Sequence, residues 1–132
     1  MNWKECKLRN IVQNKVPDLL KINSLRIQAH RRQVAVNDLS ENNTEARILL
    51  LYDECRLLLE ATALSTGFSV LNHECYESFL AEILGNPRMA EQFRILRIVR
   101  NDIEYDGKSI ELSEAKEFEK RLMQLSNSIK SL

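Results

Sequence analysis

The chain has 132 residues, with 19 Lys and Arg balanced by 19 Asp and Glu. This length fits a single domain over residues 1–132, and the 44% share of hydrophobic residues excludes a disordered chain. A net charge of zero excludes a protein that binds nucleic acid simply by being basic overall. The longest unbroken aliphatic run, at residues 48–51, is far shorter than the ~20 apolar residues that span a bilayer, so no membrane partner is predicted.

The neutral sum hides an asymmetry along the chain. Residues 1–36 carry eight basic and two acidic side chains, a balance of +6, and residues 37–132 carry 11 basic and 17 acidic ones, a balance of −6. One interpretation is that the two parts attract each other within one bundle. The other is that the N-terminal part presents a basic face to an acidic partner such as RNA.

Glycine and proline divide the chain into six predicted helices, at about 3–15, 18–37, 44–66, 72–84, 87–105 and 113–130. Gly67, Gly85 and Gly107 each follow a stretch with helical periodicity, where a C-terminal cap belongs. Pro17 and Pro87 stand where helices begin. No run of alternating apolar and polar residues predicts a strand. The pattern therefore predicts an all-α, up-and-down bundle of five to six helices.

Two of these helices have a distinctive apolar pattern. The helix over 44–66 carries two apolar stripes on roughly opposite sides, one through Tyr52 and Cys55 and one through Leu57 and Leu64, which predicts a central helix. The helix over 113–130 has a single stripe, typical of an outer helix.

Cysteine and histidine give little sign of a metal or redox site. The three cysteines, Cys6, Cys55 and Cys75, form no Cys-x-x-Cys pair, so neither a disulfide framework nor a zinc site is predicted. The histidines, His30 and His73, are interpreted as an exposed helix residue and a residue of a first helical turn. We therefore expect no metal, no cofactor and a reduced, cytoplasmic setting.

The fifth predicted helix carries the candidate functional residues. At ~100° per residue, Arg94, Arg97, Asn101 and Tyr105 fall on one side, opposite the apolar residues. Arg100 falls on or beside the apolar side, where an unpaired charge is costly. It should therefore meet a carboxylate, a backbone carbonyl or another subunit. A purely structural interpretation is a salt bridge from Arg100 to a neighbouring helix, with Asn101 bonding the backbone as the helix ends.

Residues 100–107 read Arg-Asn-Asp-Ile-Glu-Tyr-Asp-Gly and are followed by an amphipathic helix. Earlier in the chain, a long apolar helix ends at Gly67 and is followed by a short loop and His73. Over residues 44–130 this arrangement resembles HEPN domains. The resemblance implies a homodimer in which an Arg orients an RNA phosphate and a His, separated from that Arg by four to six residues, assists metal-independent proton transfer. It also implies a toxin–antitoxin or defence setting, often with a nucleotidyltransferase as partner.

The motif histidine is replaced in this chain by Tyr105. A tyrosine with a pKa near ~10 is a poor base at cellular pH, whereas an imidazole near ~6.5 is a good one. Tyr105 can still bond a phosphate or stack on a base. The resemblance thus implies Arg100, Asn101 and Tyr105 as catalytic-site residues and, beside them, Arg94 and Arg97 as RNA contacts. It leaves open whether the chain is a weak ribonuclease or only binds RNA.

A different class of function remains open beside this one. The same bundle could serve as a non-catalytic dimerisation or protein-interaction module. A helix-turn-helix through Gly67 is disfavoured because the following helix carries Glu74, Glu77 and Glu82, which phosphates would repel. For the HEPN interpretation we expect Arg100 and Tyr105 of two chains to meet at the dimer contact.

Overall fold

The computed structural model describes all 132 residues as six α-helices and a small two-stranded sheet. The elements are α1 (Trp3–Leu8), β1 (Val12–Asn14), α2 (Leu19–Asn37), α3 (Thr44–Thr66), β2 (Phe68–Val70), α4 (His73–Ser78), α5 (Pro87–Glu104) and α6 (Leu112–Lys130). The predicted all-α helical bundle is confirmed. None of the helices combines the length and the apolar character needed to cross a membrane.

Helix α3 is the centre of the bundle, as its two stripes predict. It packs against both α2 and α6, and residues from both stripes, including Cys55 and Leu64, are buried. Helix α6 has one buried face, through Leu122, Leu125 and Ile129, and is an outer helix as predicted. Burial on two sides fixes the rotation of α3, and with it the direction in which Tyr52 points.

Arg47 ties three helices together near the start of α3. Its Nη1 atom donates at 2.8 Å to the backbone carbonyl of Val36, in the last turn of α2, and at 2.9 Å to that of Leu39, just beyond the helix. Its Nε atom donates to the Glu119 carboxylate on α6 at 2.8 Å. Helix ends leave carbonyls without intrahelical partners, and a guanidinium has enough donors to serve two of them and a carboxylate at once.

The predicted helix over 3–15 is wrong beyond its first turns, because α1 ends at Leu8. Asn10 takes a left-handed conformation, with φ of 57°, and turns the chain back. The next residues form β1, which pairs antiparallel with β2 so that Val12 faces Val70 and Asn14 faces Phe68. Strands of three residues are too short to show an alternating pattern, so no pattern in the sequence predicts this sheet.

The expectation of no disulfide is also wrong. Cys6 of α1 and Cys75 of α4 are bonded, while Cys55 is free and buried. The partners lie 69 residues apart in the chain, so spacing alone could not reveal the pair. Around the bond, Trp3 packs edge-on against Phe68 with ring centroids 5.1 Å apart. The disulfide and these rings hold the N-terminal segment against α4.

The segment between β2 and α5 forms one side of the candidate site. In place of the single predicted helix over 72–84, α4 ends at Ser78 and a π-helical turn (Phe79–Ile83) follows. Gly85, with φ of 65°, then reverses the chain. The Asn86 side chain accepts from the Met89 backbone N–H at 3.0 Å and so caps the start of α5. This tight connection lays α5 alongside α4.

Candidate functional site

A shallow cleft lies between the loop that leads into α4 and the last turns of α5. Its volume is about 310 Å³, and it is lined by Leu71, Asn72, His73, Arg97, Arg100, Asn101 and Tyr105. All three residues predicted as catalytic lie here, together with one of the two arginines predicted to contact RNA. Helical spacing explains part of the grouping, because Arg97 lies three and four residues before Arg100 and Asn101, and Asn101 lies four residues before Tyr105.

Arg100 is held in the cleft by two aromatic rings and an amide. Its Cζ atom lies 5.2 Å from the ring centroid of Tyr52 and 5.3 Å from that of Tyr105. Its Nη1 atom donates to the side-chain oxygen of Asn101 at 2.9 Å. Cation–π contacts of this kind contribute about 0.5–2 kcal/mol each. They orient the guanidinium, but they do not neutralise its charge.

Within the single chain Arg100 therefore meets neither a carboxylate nor a backbone carbonyl, and another subunit, the third partner expected for it, stays a prediction. Among the arginines of α5, Arg94 and Arg97 form ion pairs, and Arg100 forms none. Two rings supply the contacts that a salt bridge would otherwise give, and the spare N–H groups of Arg100 stay available. The result is a half-buried positive charge that no acidic side chain balances within 4.0 Å.

The two other arginines on this side of α5 are paired. Arg97 Nε donates to the Glu77 carboxylate of α4 at 2.8 Å, with both side chains about four-fifths buried. Arg94 Nη2 lies 2.6 Å from Glu91 on its own helix and faces a different depression of the surface. Arg94 therefore does not join the cleft, although the helical wheel places it on the same side as Arg97.

His73 lies in the cleft and is the residue that sequence reasoning missed. It is the first residue of α4, and its Nδ1 atom lies 2.9 Å from the Tyr52 hydroxyl. Burial and then the positive charge of Arg100 lower the pKa of His73 from 6.5 to about 4. Burial also raises the pKa of Tyr52. At neutral pH the pair is an uncharged imidazole hydrogen-bonded to a protonated phenol.

Tyr105 closes the cleft on its solvent side. It is the residue that follows α5, and it is 70% exposed. Its backbone N–H donates to the Asn101 carbonyl at 2.9 Å, which fixes the last turn, while its ring covers the Arg100 guanidinium. An exposed ring over an arginine offers a flat surface on which a nucleobase can stack.

The remaining histidine is not part of this group. His30 is exposed on α2, as the sequence predicts. No three His, Cys, Asp or Glu side chains come together in an arrangement that could hold a metal ion.

Taken together, the cleft presents a guanidinium with free donors, an amide, a phenol and a neutral imidazole. This set is suited to binding a phosphate group, because a guanidinium matches two phosphate oxygens at once. Searches against protein-family models, curated proteins and solved structures found no match to this chain.

Proposed function

We propose that this chain is a HEPN-like module that binds single-stranded RNA at the Arg100 cleft. The observation that carries the proposal is the uncompensated guanidinium of Arg100, clamped between Tyr52 and Tyr105 beside Asn101. The two cation–π contacts offset part of the cost of this half-buried charge but supply no counter-charge, so an anion that binds there best explains the arrangement.

RNA fits this cleft better than a bare anion does. Arg100 supplies the contact to phosphate, and the exposed ring of Tyr105, whose centroid lies 5.3 Å from the Arg100 Cζ, offers a face on which a base can stack. The chain as a whole is neutral, so the affinity depends on a few local contacts. We therefore expect a shallow salt dependence, because few counterions are released on binding.

Cleavage is expected to be weak or absent. Tyr105 replaces the histidine of the motif that this sequence resembles, and a phenol is a poor base near neutral pH. His73 is nearby, but its pKa of about 4 makes it a weak base as well. The proposal is therefore RNA binding first, with any metal-independent cleavage slow.

A homodimer is part of the proposal. Leu71, Ile98 and Tyr105 are exposed apolar or aromatic residues in or beside the cleft, and exposed apolar residues that lie together favour a protein contact. Pairing two chains there would bring two Arg100 clefts together, as the resemblance to HEPN domains implies.

The biological setting rests on the resemblance alone. It implies a toxin–antitoxin or defence role with a nucleotidyltransferase as partner, in the cytoplasm. The Cys6–Cys75 bond counts against a reducing compartment, where disulfides are uncommon. A nucleotidyltransferase gene next to this one, and its co-purification with this chain, would support the setting.

The second candidate is a protein-interaction module without RNA binding. The same exposed residues favour it, because Leu71, Ile98 and Tyr105 could cover one another in a dimer that closes the cleft. Dimerisation without RNA affinity would select this candidate over the first.

Fluorescence anisotropy with a labelled single-stranded RNA tests the proposal directly. Replacing Arg100 by Ala should weaken binding by about 10- to 100-fold, since hydrogen bonds to charged groups contribute about 1.5–3 kcal/mol. The matched control is Arg94→Ala, which removes an arginine of the same helix that is already paired with Glu91. Equal losses in both variants, or no binding by the wild type, would contradict the proposal.

A further inference from the structure

Helix α2 carries a row of aliphatic side chains on its outward face. Leu20, Ile27 and Val34 follow one another at intervals of seven residues, and their exposed fractions are 84%, 54% and 47%. The opposite face of the helix is buried against α3 through Ile22, Leu25, Ala29 and Val36. We call Leu20, Ile27 and Val34 the α2 stripe. Apolar residues at a spacing of seven occupy one of the two apolar positions of each heptad along the seam between two helices that pack side by side.

The cations around the α2 stripe have no acidic partners. Among the eight basic residues of the first 36, Arg32 alone forms an ion pair, with Asp53 at 2.9 Å. Lys21, Arg26 and Arg31 on the same helix stay exposed and unpaired. The acidic residues at the two ends of α2 are Asp18, the N-cap, and Asp38, the C-cap. On this helix, neutralisation of the basic part of the chain within the bundle therefore holds for Arg32 alone, and not for Lys21, Arg26 and Arg31.

We propose that the α2 stripe binds an acidic amphipathic helix of a partner protein. The seven-residue spacing selects a helix, since a second helix can place its own apolar row along the stripe. The unpaired cations select an acidic one, because Glu or Asp beside its apolar row would lie opposite Lys21, Arg26 and Arg31.

A second copy of this chain fits the stripe less well. Packing α2 on its own symmetry mate would bring the same three unpaired cations of both copies together, and like charges across an interface are unfavourable.

RNA also fits this face less well. The outward face of α2 carries no Phe, Tyr or Trp on which a base could stack, and aliphatic side chains gain nothing from a phosphate backbone. Nucleic acid would contact the cations of this face, but it would leave the apolar side chains of the α2 stripe without a binding role.

The α2 stripe and the RNA cleft are formed by different helices. Helix α2 packs on α3, whereas the cleft is built from α5 and the loop before α4. A partner helix on α2 would leave Arg100 and Tyr105 uncovered. This inference therefore stands or falls independently of the proposed RNA binding.

The test uses the full chain and two synthetic peptides of about three heptads. Both carry Leu at the a and d positions; one has Glu at the e and g positions and the other has Lys there. Fluorescence anisotropy should show that the Glu peptide binds at least about tenfold more tightly than the Lys peptide. Reversing two cations, Arg26→Glu with Arg31→Glu, should reverse that preference.

The variant Leu20→Ser, Ile27→Ser, Val34→Ser should lose at least about tenfold in affinity for the Glu peptide. Because these side chains are exposed, the variant should keep the wild-type circular dichroism spectrum. The matched control is Leu8→Ser with Met123→Ser, which removes exposed apolar side chains elsewhere, and it should bind like the wild type.

Three results would overturn the inference. The first is equal affinity for the two peptides. The second is self-association of the free chain, measured by light scattering, that the triple serine variant abolishes; this would identify a second copy as the occupant. The third is a loss of RNA affinity in the triple serine variant, which would identify nucleic acid.

Discussion

His73 should make the protein less stable as the pH falls from neutral towards 5. Its pKa is lowered from 6.5 to about 4 in the folded state, by burial first and by Arg100 second. In the unfolded chain the imidazole takes up a proton near pH 6.5, whereas in the folded chain it stays neutral until about pH 4. Since the unfolded state then binds more protons, stability is lost between these two values and is unaffected above pH 6.5.

The size of the effect follows from the two pKa values. A fall from 6.5 to about 4 corresponds to at most about 3.4 kcal/mol. The His73 side chain is only partly buried, so solvent screening reduces this to about 1–2 kcal/mol, of which about half should be lost by pH 5.

Urea unfolding at about pH 7.5 and pH 5, on the wild type and on His73→Gln, measures this contribution. Glutamine has no titrating group and can still bond the Tyr52 hydroxyl, so other titrations cancel between the two proteins. The wild type should lose about 1 kcal/mol more than the variant over this range. Equal losses, or an imidazole that titrates near 6.5 in an NMR experiment, would refute the description of His73 as a buried neutral group beside Arg100.

Two further substitutions test the packing and the cleft. Arg47→Ala should lower the free energy of unfolding by about 2–4 kcal/mol, because Glu119 and the Leu39 carbonyl lose their partner and the Val36 carbonyl loses one of its two. Arg47→Lys should not restore it, and a loss below about 1 kcal/mol in urea unfolding would contradict this account. Tyr105→Ala should weaken RNA binding by about 5- to 150-fold in anisotropy, since base stacking contributes about 1–3 kcal/mol. Tyr105→Phe keeps the ring over Arg100 and should stay within about twofold of the wild type; matching losses in the two variants would assign the role to the hydroxyl.

The helices that the sequence predicts well are those with long periodic stretches and clear ends. Helix α3 has two apolar stripes and ends at Gly67, whose φ of 100° suits glycine. Helix α5 begins at Asn86 and Pro87, a cap followed by a residue preset for the first turn. These signals are local, so they predict the helices without any knowledge of the rest of the fold.

The features that the sequence does not reveal all depend on contacts between distant parts of the chain. The sheet pairs residues 12–14 with residues 68–70, and neither segment is long enough to show a pattern of its own. The Cys6–Cys75 bond joins residues 69 apart. Both features require the chain to turn back at Asn10, and an Asn in a left-handed conformation cannot be told from any other Asn in the sequence.

The same distinction holds for the candidate site. Asn101 and Tyr105 are four residues apart, so helical spacing predicts their grouping, whereas Arg100 joins them through its hydrogen bond to Asn101 and its contact with the Tyr105 ring. His73 and Tyr52 come from other helices, and only the packing of α3, α4 and α5 brings them to the cleft.

Mapping single-stranded RNA onto the protein by NMR tests the central claim most directly. Addition of a short oligonucleotide should shift the side-chain amide signals of Asn101 and the imidazole signals of His73, and Arg100→Ala should abolish those shifts while leaving the fold intact. The backbone signals of α2, with its unpaired cations, should stay unchanged. Shifts confined to α2, with Asn101 and His73 unaffected, would contradict the account and assign RNA to the basic N-terminal part of the chain.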